Sequence, residues 1–255
     1  MSAAVVTGAS RGIGRGIAVA LAFAGHDVVV GYRSDDAAAK ETASMVEAVG
    51  CSSALVPGDV TEAAVHRMLA DAADEFGGLA VWVNNAGVSV LAPVVETTEA
   101  DLRHMIEVNL IGTFLGMCEA VARFRGAATR GRIVNVASEL GVQAFPLLGG
   151  YSATKFGVVG LTQAAAVELA ADQITVNAVC PGTAETEMVA AERRAQAALT
   201  GESLADVRAG TLAGIPAGRF CSPEDVGALV AYLASPAAAY VTGQSICVNG
   251  GSVLR

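Results

Sequence analysis

Short runs of valine, isoleucine, leucine and alanine recur along the 255-residue chain, each followed by a longer stretch in which apolar residues return at three- and four-residue intervals. The first pattern reads as strand and the second as amphipathic helix. Strands are expected over residues 3–7, 27–32, 53–56, 79–83, 132–137, 174–179 and 245–248. Helices are expected from the first glycine turn to about residue 24, then to about residue 49, and over 61–76, 101–124 and 151–170. A further helix opens at Ser222, with Pro223 at its first position and Asp225 at its third. Thr98 and Asp101 form a capping-box candidate, and Ser34 is expected to cap the helix that Asp35 and Asp36 open. The strand runs are continuously apolar, the pattern of strands covered on both faces. Their alternation with helices predicts one α/β domain, a doubly wound parallel sheet of about seven strands with helices on both sides. Residues 185–214 break the rhythm, with Glu192, Arg193, Arg194, Glu202 and Asp206 among alanines. A movable helical lid is the expectation there, with a plain surface pair of helices as the competing reading.

Composition adds an expectation about assembly. Hydrophobic residues make up 53% and charged ones 16%, so apolar surface is expected to be buried between copies, in a homotetramer or homodimer built on the helices at 101–124 and 151–170. The net charge of -9 excludes nucleic acid or an anionic membrane as the main partner. No apolar run reaches the roughly 18 residues of a membrane span, and the first strand starts too close to Met1 for a removable signal peptide. A cytoplasmic location is expected. The five cysteines, Cys51, Cys118, Cys180, Cys221 and Cys247, contain no Cys-x-x-Cys pair and read as reduced thiols. His26, His66 and His104 lie far apart without metal spacing, so no metal site is expected.

The candidate chemistry begins at the first strand. Gly8, Gly12 and Gly14 sit between it and an alanine-rich helix; such a turn lets backbone approach a phosphate at a helix N-terminus. The spacing departs from Gly-x-Gly-x-x-Gly, so a tight turn without ligand competes. After the second strand, where a dinucleotide-binding unit reads the ribose, the chain has Arg33 and Ser34 beside Tyr32, and no carboxylate at Tyr32. A basic residue there accommodates the extra phosphate of NADP; Arg11 adds a second positive charge. Ser138 closes the fifth strand at the sheet edge where ligands bind. Tyr151 and Lys155 lie four apart on one helix face. A cation beside a phenol favours phenolate, so Lys155 is expected to lower the pKa of Tyr151.

Together these residues resemble the short-chain dehydrogenase/reductase family, from Val5 to Gly251. The resemblance is carried by Thr7-Gly8-Ala9-Ser10-Arg11-Gly12-Ile13-Gly14, by Asp59-Val60, by Asn84-Asn85-Ala86-Gly87, by Asn109, and by Ser138, Tyr151 and Lys155. It continues through Pro181-Gly182-Thr183 with Thr186, and Gly243-Gln244 with Asn249-Gly250-Gly251. It implies a single-domain Rossmann fold and a nicotinamide cofactor, NADP(H) preferred and NAD(H) possible. It implies Tyr151 as proton donor to a carbonyl, Lys155 on the nicotinamide ribose, Ser138 orienting the substrate oxygen, and Asn109 holding a relay water. Asp59 and Val60 would touch adenine, Asn85, Ala86 and Gly87 would line the adenosine ribose side, and Thr186 with the backbone after Pro181 would fix the carboxamide.

The expected reaction is NADPH-dependent reduction of a ketone to a secondary alcohol. The nearest relatives by motif are 3-oxoacyl reductases, and a polyketide-like ketone fits the pocket candidates Val90, Leu91, Glu139, Leu140, Gln143 and Phe145. Asp172 stands where acyl-carrier-protein-dependent relatives resemble one another in a basic residue, which weakens that docking. Arg123, Arg125, Arg130 and Arg132 leave a positive patch open. Two alternatives stay: an NAD-dependent alcohol dehydrogenase with the same residues, and a non-catalytic cofactor sensor, which would usually lose Tyr151 or Lys155.

Overall fold

Seven short apolar runs form seven parallel strands: β1 (Ala3–Val6), β2 (Asp27–Tyr32), β3 (Ser53–Pro57), β4 (Leu79–Asn84), β5 (Arg132–Val136), β6 (Thr175–Pro181) and β7 (Ser245–Val248). A computed structural model describes residues 2–254. The order across the sheet is β3-β2-β1-β4-β5-β6-β7. Parallel neighbours require a crossover, and helices supply most of them: α1 (Gly12–Phe23), α2 (Asp36–Ala48), α3 (Ala63–Asp74), α4 (Glu99–Met105), α5 (Gly112–Gly126), α6 (Gly149–Leu169), α7 (Glu187–Thr200), α8 (Leu204–Ala213) and α9 (Pro223–Ala234).

The alternation of side chains along each strand divides the core in two. Ala4 and Val6 of β1, with Val28 and Val30 of β2, pack under α1, α2 and α9. Ala3, Val5 and Val29 face the other way, onto α3, α5 and α6, where Trp82 and Phe124 fill the layer. The strand order reverses between β1 and β4, so their C-terminal loops diverge and open a crevice, the place where such sheets bind ligands.

Several boundaries differ from the sequence expectation. The side chain of Asp35, not Ser34, caps α2, accepting from the Ala38 N–H at 3.0 Å. Thr98 caps α4 through the Asp101 N–H at 3.1 Å. The single helix expected at 101–124 is α4 and α5 joined by a π-helical turn, Ile106–Ile111. One extra residue in that turn leaves the Asn109 carbonyl to accept from the Thr113 hydroxyl at 2.8 Å. The continuous 28-residue helix Glu99–Gly126, with a mean hydropathy of 1.4 over its most apolar window, is long and apolar enough to cross a membrane. That corrects the expectation that nothing in the chain reaches this length. In this structure α5 packs on β4 and α3 instead.

Residues 185–214 fold as the α7–α8 pair, in which only Val207 is buried. The pair is tied down at its base. Glu185 accepts from Arg193 and Arg208, each at 2.9 Å, and both guanidiniums stack on the Phe220 ring at 4.6 and 4.8 Å. The arginine cluster near α5 is largely engaged. Arg123 pairs with Asp71, Asp74 and Glu119, Arg125 pairs with Asp172, and Arg132 is buried. Arg130 and Arg132 make no ion pair among the described residues, but Arg132 is turned inward and donates to the Arg130 and Gly131 carbonyls, so the four do not form an open positive patch. Of the five thiols only Cys180 is fully buried.

Candidate active site

A cleft of about 640 Å³ runs along the C-terminal ends of the strands. Its walls contain every candidate catalytic and cofactor-binding residue named above except Asn109: Gly8, Ser10, Arg11, Gly12, Ile13, Gly14, Arg33, Ser34, Asp59, Val60, Asn85, Ala86, Gly87, Ser138, Tyr151, Lys155, Pro181, Gly182, Thr183 and Thr186. The glycine turn and the Ser138–Tyr151–Lys155 group, more than 120 positions apart in the chain, therefore share one cavity.

The glycine turn is braced from outside. Arg15 donates to the Ser10 carbonyl at 2.8 Å and the Thr42 hydroxyl donates to it at 3.0 Å. On the other side the Asn85 amide donates to the Thr7 and Gly8 carbonyls, while the Thr7 hydroxyl accepts from the Asn85 and Ala86 N–H groups at 2.9 and 3.1 Å. These bonds lock the β1 and β4 loops together. A Cβ on Gly14 would lie 2.2 Å from the Gly8 carbonyl oxygen, so only glycine permits this approach. No side chain caps α1 and no acidic residue lies in its first turn, leaving its first N–H groups open to an anion. The donor set fits a nicotinamide dinucleotide with its phosphates at the start of α1.

At the ribose end the two arginines differ. Arg11 is neutralised, at 2.6 Å from Glu187 and 3.5 Å from Asp35, which corrects the expectation of a second free positive charge. Arg33 makes no ion pair among the described residues; its charge acts through space on Asp59. The Asp59 carboxylate accepts from the Thr61 N–H at 3.0 Å, and that bond, foremost, holds its pKa low.

At the other end Ser138 starts a short 3-10 turn, its Oγ accepting from the Leu140 N–H at 3.1 Å. The half-buried Tyr151 ring faces it. Burial pushes the phenol pKa up, the Glu192 carboxylate pushes it further, and the Ser138 hydroxyl draws it down. Lys155 does not lower it. The Lys155 ammonium lies 5.6 Å from the Tyr151 ring centre and donates to the Val136 carbonyl at 2.9 Å; its own pKa falls to about 8 through burial. The expected order is thus reversed, with the lysine easier to deprotonate and the tyrosine harder.

Asn109 is fully buried behind this wall. Its amide accepts from the Val88 N–H at 2.8 Å and donates to the Val88 carbonyl at 2.9 Å and the Thr154 hydroxyl at 3.0 Å. The side chain splices the β4 loop to α6. Of the pocket candidates, Glu139 and Leu140 line the cleft, whereas Val90, Leu91, Gln143 and Phe145 do not. Leu148, Met188, Val189 and Glu192 take those places. Glu139 is tied to the Ser252 hydroxyl and the Asn249 amide. Thr7 and Glu192 are the functional candidates that sequence reasoning passed over; Thr7 stood inside a quoted motif, and Glu192 carried no signal beyond its place in the 185–214 segment.

The profile of the family described as enoyl-(acyl carrier protein) reductase matches residues 8–252. The chain is 40% identical over 250 residues to an L-2,3-butanediol dehydrogenase from Corynebacterium glutamicum, covering 97% of each protein. It is 38% identical over 254 residues to an S-acetoin-forming diacetyl reductase from Staphylococcus epidermidis, covering 99% of this chain and 98% of the relative. Among solved structures, a protein provisionally assigned as a gluconate dehydrogenase from Agrobacterium tumefaciens superimposes with a TM-score of 0.86 at 32% identity, over 99% of this chain and 97% of that one.

Proposed function

The chain belongs to the short-chain dehydrogenase/reductase family, and from that premise we propose that it reduces a small ketone to a secondary alcohol, with NADPH as hydride donor and Tyr151 as proton donor. It is a nicotinamide-dependent oxidoreductase acting on C=O and CH–OH groups. When bound, the nicotinamide supplies the hydride to the carbonyl carbon, or takes one from an alcohol in reverse. The observation that carries the reading is Tyr151 itself: a phenol kept protonated by burial and by Glu192, facing Ser138 in the same cleft as the glycine turn.

Each residue then has a role. Ser138 orients the carbonyl oxygen, and the Tyr151 O–H gives it a proton as charge develops there. Lys155, anchored on the Val136 carbonyl, keeps two N–H groups for the ribose; with its pKa near 8 it can pass a proton toward the tyrosine. Asn109 holds the β4 loop against α6 so that this alignment persists. The α7–α8 pair acts as a lid hinged at Glu185. NADPH preference rests on Arg33, the uncompensated cation at the ribose end. The neutralised Arg11 favours a second reading, an NAD-dependent alcohol dehydrogenase. The retained Tyr151 and Lys155 weigh against a mere cofactor sensor.

The relatives' named substrates, butanediol and diacetyl, carry neighbouring oxygens, and a small vicinal ketone fits the short apolar wall of Leu140, Leu148, Met188 and Val189. Association of copies through α5 and α6 is supported by the exposed Ile111, Phe114, Phe156 and Val167; light scattering tests it. The decisive experiment titrates the protein with NADPH and NADH and follows nicotinamide absorbance with ketones and alcohols. Tyr151→Phe should lose at least about 100-fold in turnover while binding cofactor normally, and near-normal turnover would refute the proton donor. Arg33→Ala should weaken NADPH about 10-fold or more and NADH little; equal losses would move the weight to the NAD reading.

A further inference from the structure

Glu139 follows Ser138 in the chain and lines the cleft, yet it is only 6% exposed and makes no ion pair among the described residues. A buried carboxylate without a cation must be held by hydrogen-bond donors. Its donors come from a distant part of the chain. The Ser252 hydroxyl and, at 3.3 Å, the Asn249 amide donate to the Glu139 Oε2, across 113 and 110 positions. Asn249 organises the turn that carries them. Its amide also donates to the Val253 carbonyl at 2.9 Å, and its side-chain oxygen accepts from the Gly251 N–H at 3.1 Å. Val253 is buried and anchors the turn. The turn at 249–253 supports two walls of the site at once. On one side the Gly182 N–H donates to the Val248 carbonyl at 3.0 Å, and a Cβ on Gly182 would lie 2.8 Å from the Asn249 Cα and 3.4 Å from the Glu139 carboxylate. On the other, the Ser138–Gly141 turn closes through the Gly141 N–H on the Ser138 carbonyl at 2.8 Å. It rests on α6, where a Cβ on Gly141 would lie 2.9 Å from the Lys155 carbonyl oxygen. Residues 138–141, 181–183 and 249–253 therefore meet at one carboxylate.

We propose that Glu139 is a positioning residue that fixes the Ser138 hydroxyl relative to the Pro181–Thr183 backbone, by clamping both to the turn at 249–253. This rests on the reductase reading above, in which Ser138 orients the carbonyl oxygen and the backbone after Pro181 meets the cofactor. If the two walls slip, the carbonyl carbon leaves the path of the hydride, and a displacement of about 1 Å costs on the order of 100-fold in rate. Cofactor affinity, set by the glycine turn and the ribose end, is spared. The clamp also constrains its own partners, because a carboxylate at position 249 would bring two buried like charges together.

The test measures kcat for diacetyl and acetoin with the tighter-binding nicotinamide cofactor, per cofactor site counted by fluorescence titration, so that misfolded protein drops out of the rate. Glu139→Ala should lower kcat about 10- to 100-fold and leave cofactor affinity within about threefold of wild type. Glu139→Gln keeps an acceptor for both donors and should lose far less, no more than about threefold. Asn249→Asp should be as damaging as Glu139→Ala. Adding Glu139→Gln to it should restore at least about 10-fold, since the new amide can donate to the new carboxylate. Ser252→Ala removes one donor and little bulk, which guards against misfolding of the Asn249 variant; it should lower kcat about 3- to 10-fold. A purely structural role would reduce the number of cofactor sites without lowering kcat per site. A kcat per site within twofold of wild type in both Glu139→Ala and Ser252→Ala therefore overturns the clamp, and so does an Asn249→Asp loss that Glu139→Gln leaves unchanged. A wild type that turns over neither ketone refutes the reductase reading, and the clamp with it.

Discussion

The Thr7 hydroxyl is the point where the two loops of the cofactor cleft are joined, and removing it separates local from tertiary contributions. It accepts from the Asn85 and Ala86 N–H groups and donates to the Val83 carbonyl at 3.4 Å, and Thr7 is 2% exposed. Thr7→Val preserves the shape and the β-branching but replaces the oxygen with a methyl group. The long Val83 bond contributes little. The two backbone donors are left without a partner, each costing about 1–3 kcal/mol when fully buried. Both amides border the cleft and are partly reached by water, so the lower half of that range applies to each and the expected loss for the two is about 2–4 kcal/mol. Thr7→Ser keeps the oxygen and loses one methyl, about 0.8 kcal/mol. Urea unfolding of the two variants measures the difference, and nicotinamide cofactor titration reports the geometry: Thr7→Val should bind at least about 10-fold more weakly, Thr7→Ser near normally. Equal stability of the two variants would refute the claim that this oxygen, rather than side-chain packing, holds the loops.

Two further outcomes follow from the same site. Lys155 binds a proton more weakly folded, at about 8, than unfolded, at 10.5. Its burial therefore opposes folding at and below pH 8, and the penalty is relieved as pH rises from 8 toward 10.5. The stability gap between wild type and Lys155→Met should change in the wild type's favour across that window, and a gap independent of pH would contradict the assignment. Glu185→Ala removes the shared partner of Arg193 and Arg208, so amide hydrogen exchange should quicken across 187–213 while the thermal midpoint moves by no more than a degree or two. Unchanged exchange there would mean that the Phe220 stack alone holds the pair.

The strands were legible because each is a run of apolar residues buried on both faces, and all seven expected runs are strands within one or two residues. The ends failed where a neighbour supplied the stop. Asp35 rather than Ser34 caps α2 because its carboxylate is the one that reaches the Ala38 N–H. The π turn around Asn109 was invisible, since Ile106–Ile111 reads as ordinary amphipathic helix and the extra residue is accommodated only with Val88 and Thr154 in place. Arg33 and Arg11 looked alike in sequence; the lid residue Glu187 distinguishes them, and it lies 176 positions from Arg11.

What the sequence determined by itself is the alternation of buried strands and helices, the glycine turn, and the proximity of Tyr151 to Lys155, because each depends on residue type and short-range spacing. The direction of the proton chemistry was decided only by the tertiary structure. A lysine four residues from a tyrosine suggests a lowered phenol, but burial and the arrival of Glu192 from α7 push the phenol up, and burial pushes the Lys155 ammonium down. Desolvation and charges brought from distant segments outweigh a neighbour on the same helix, and neither can be read from spacing along the chain.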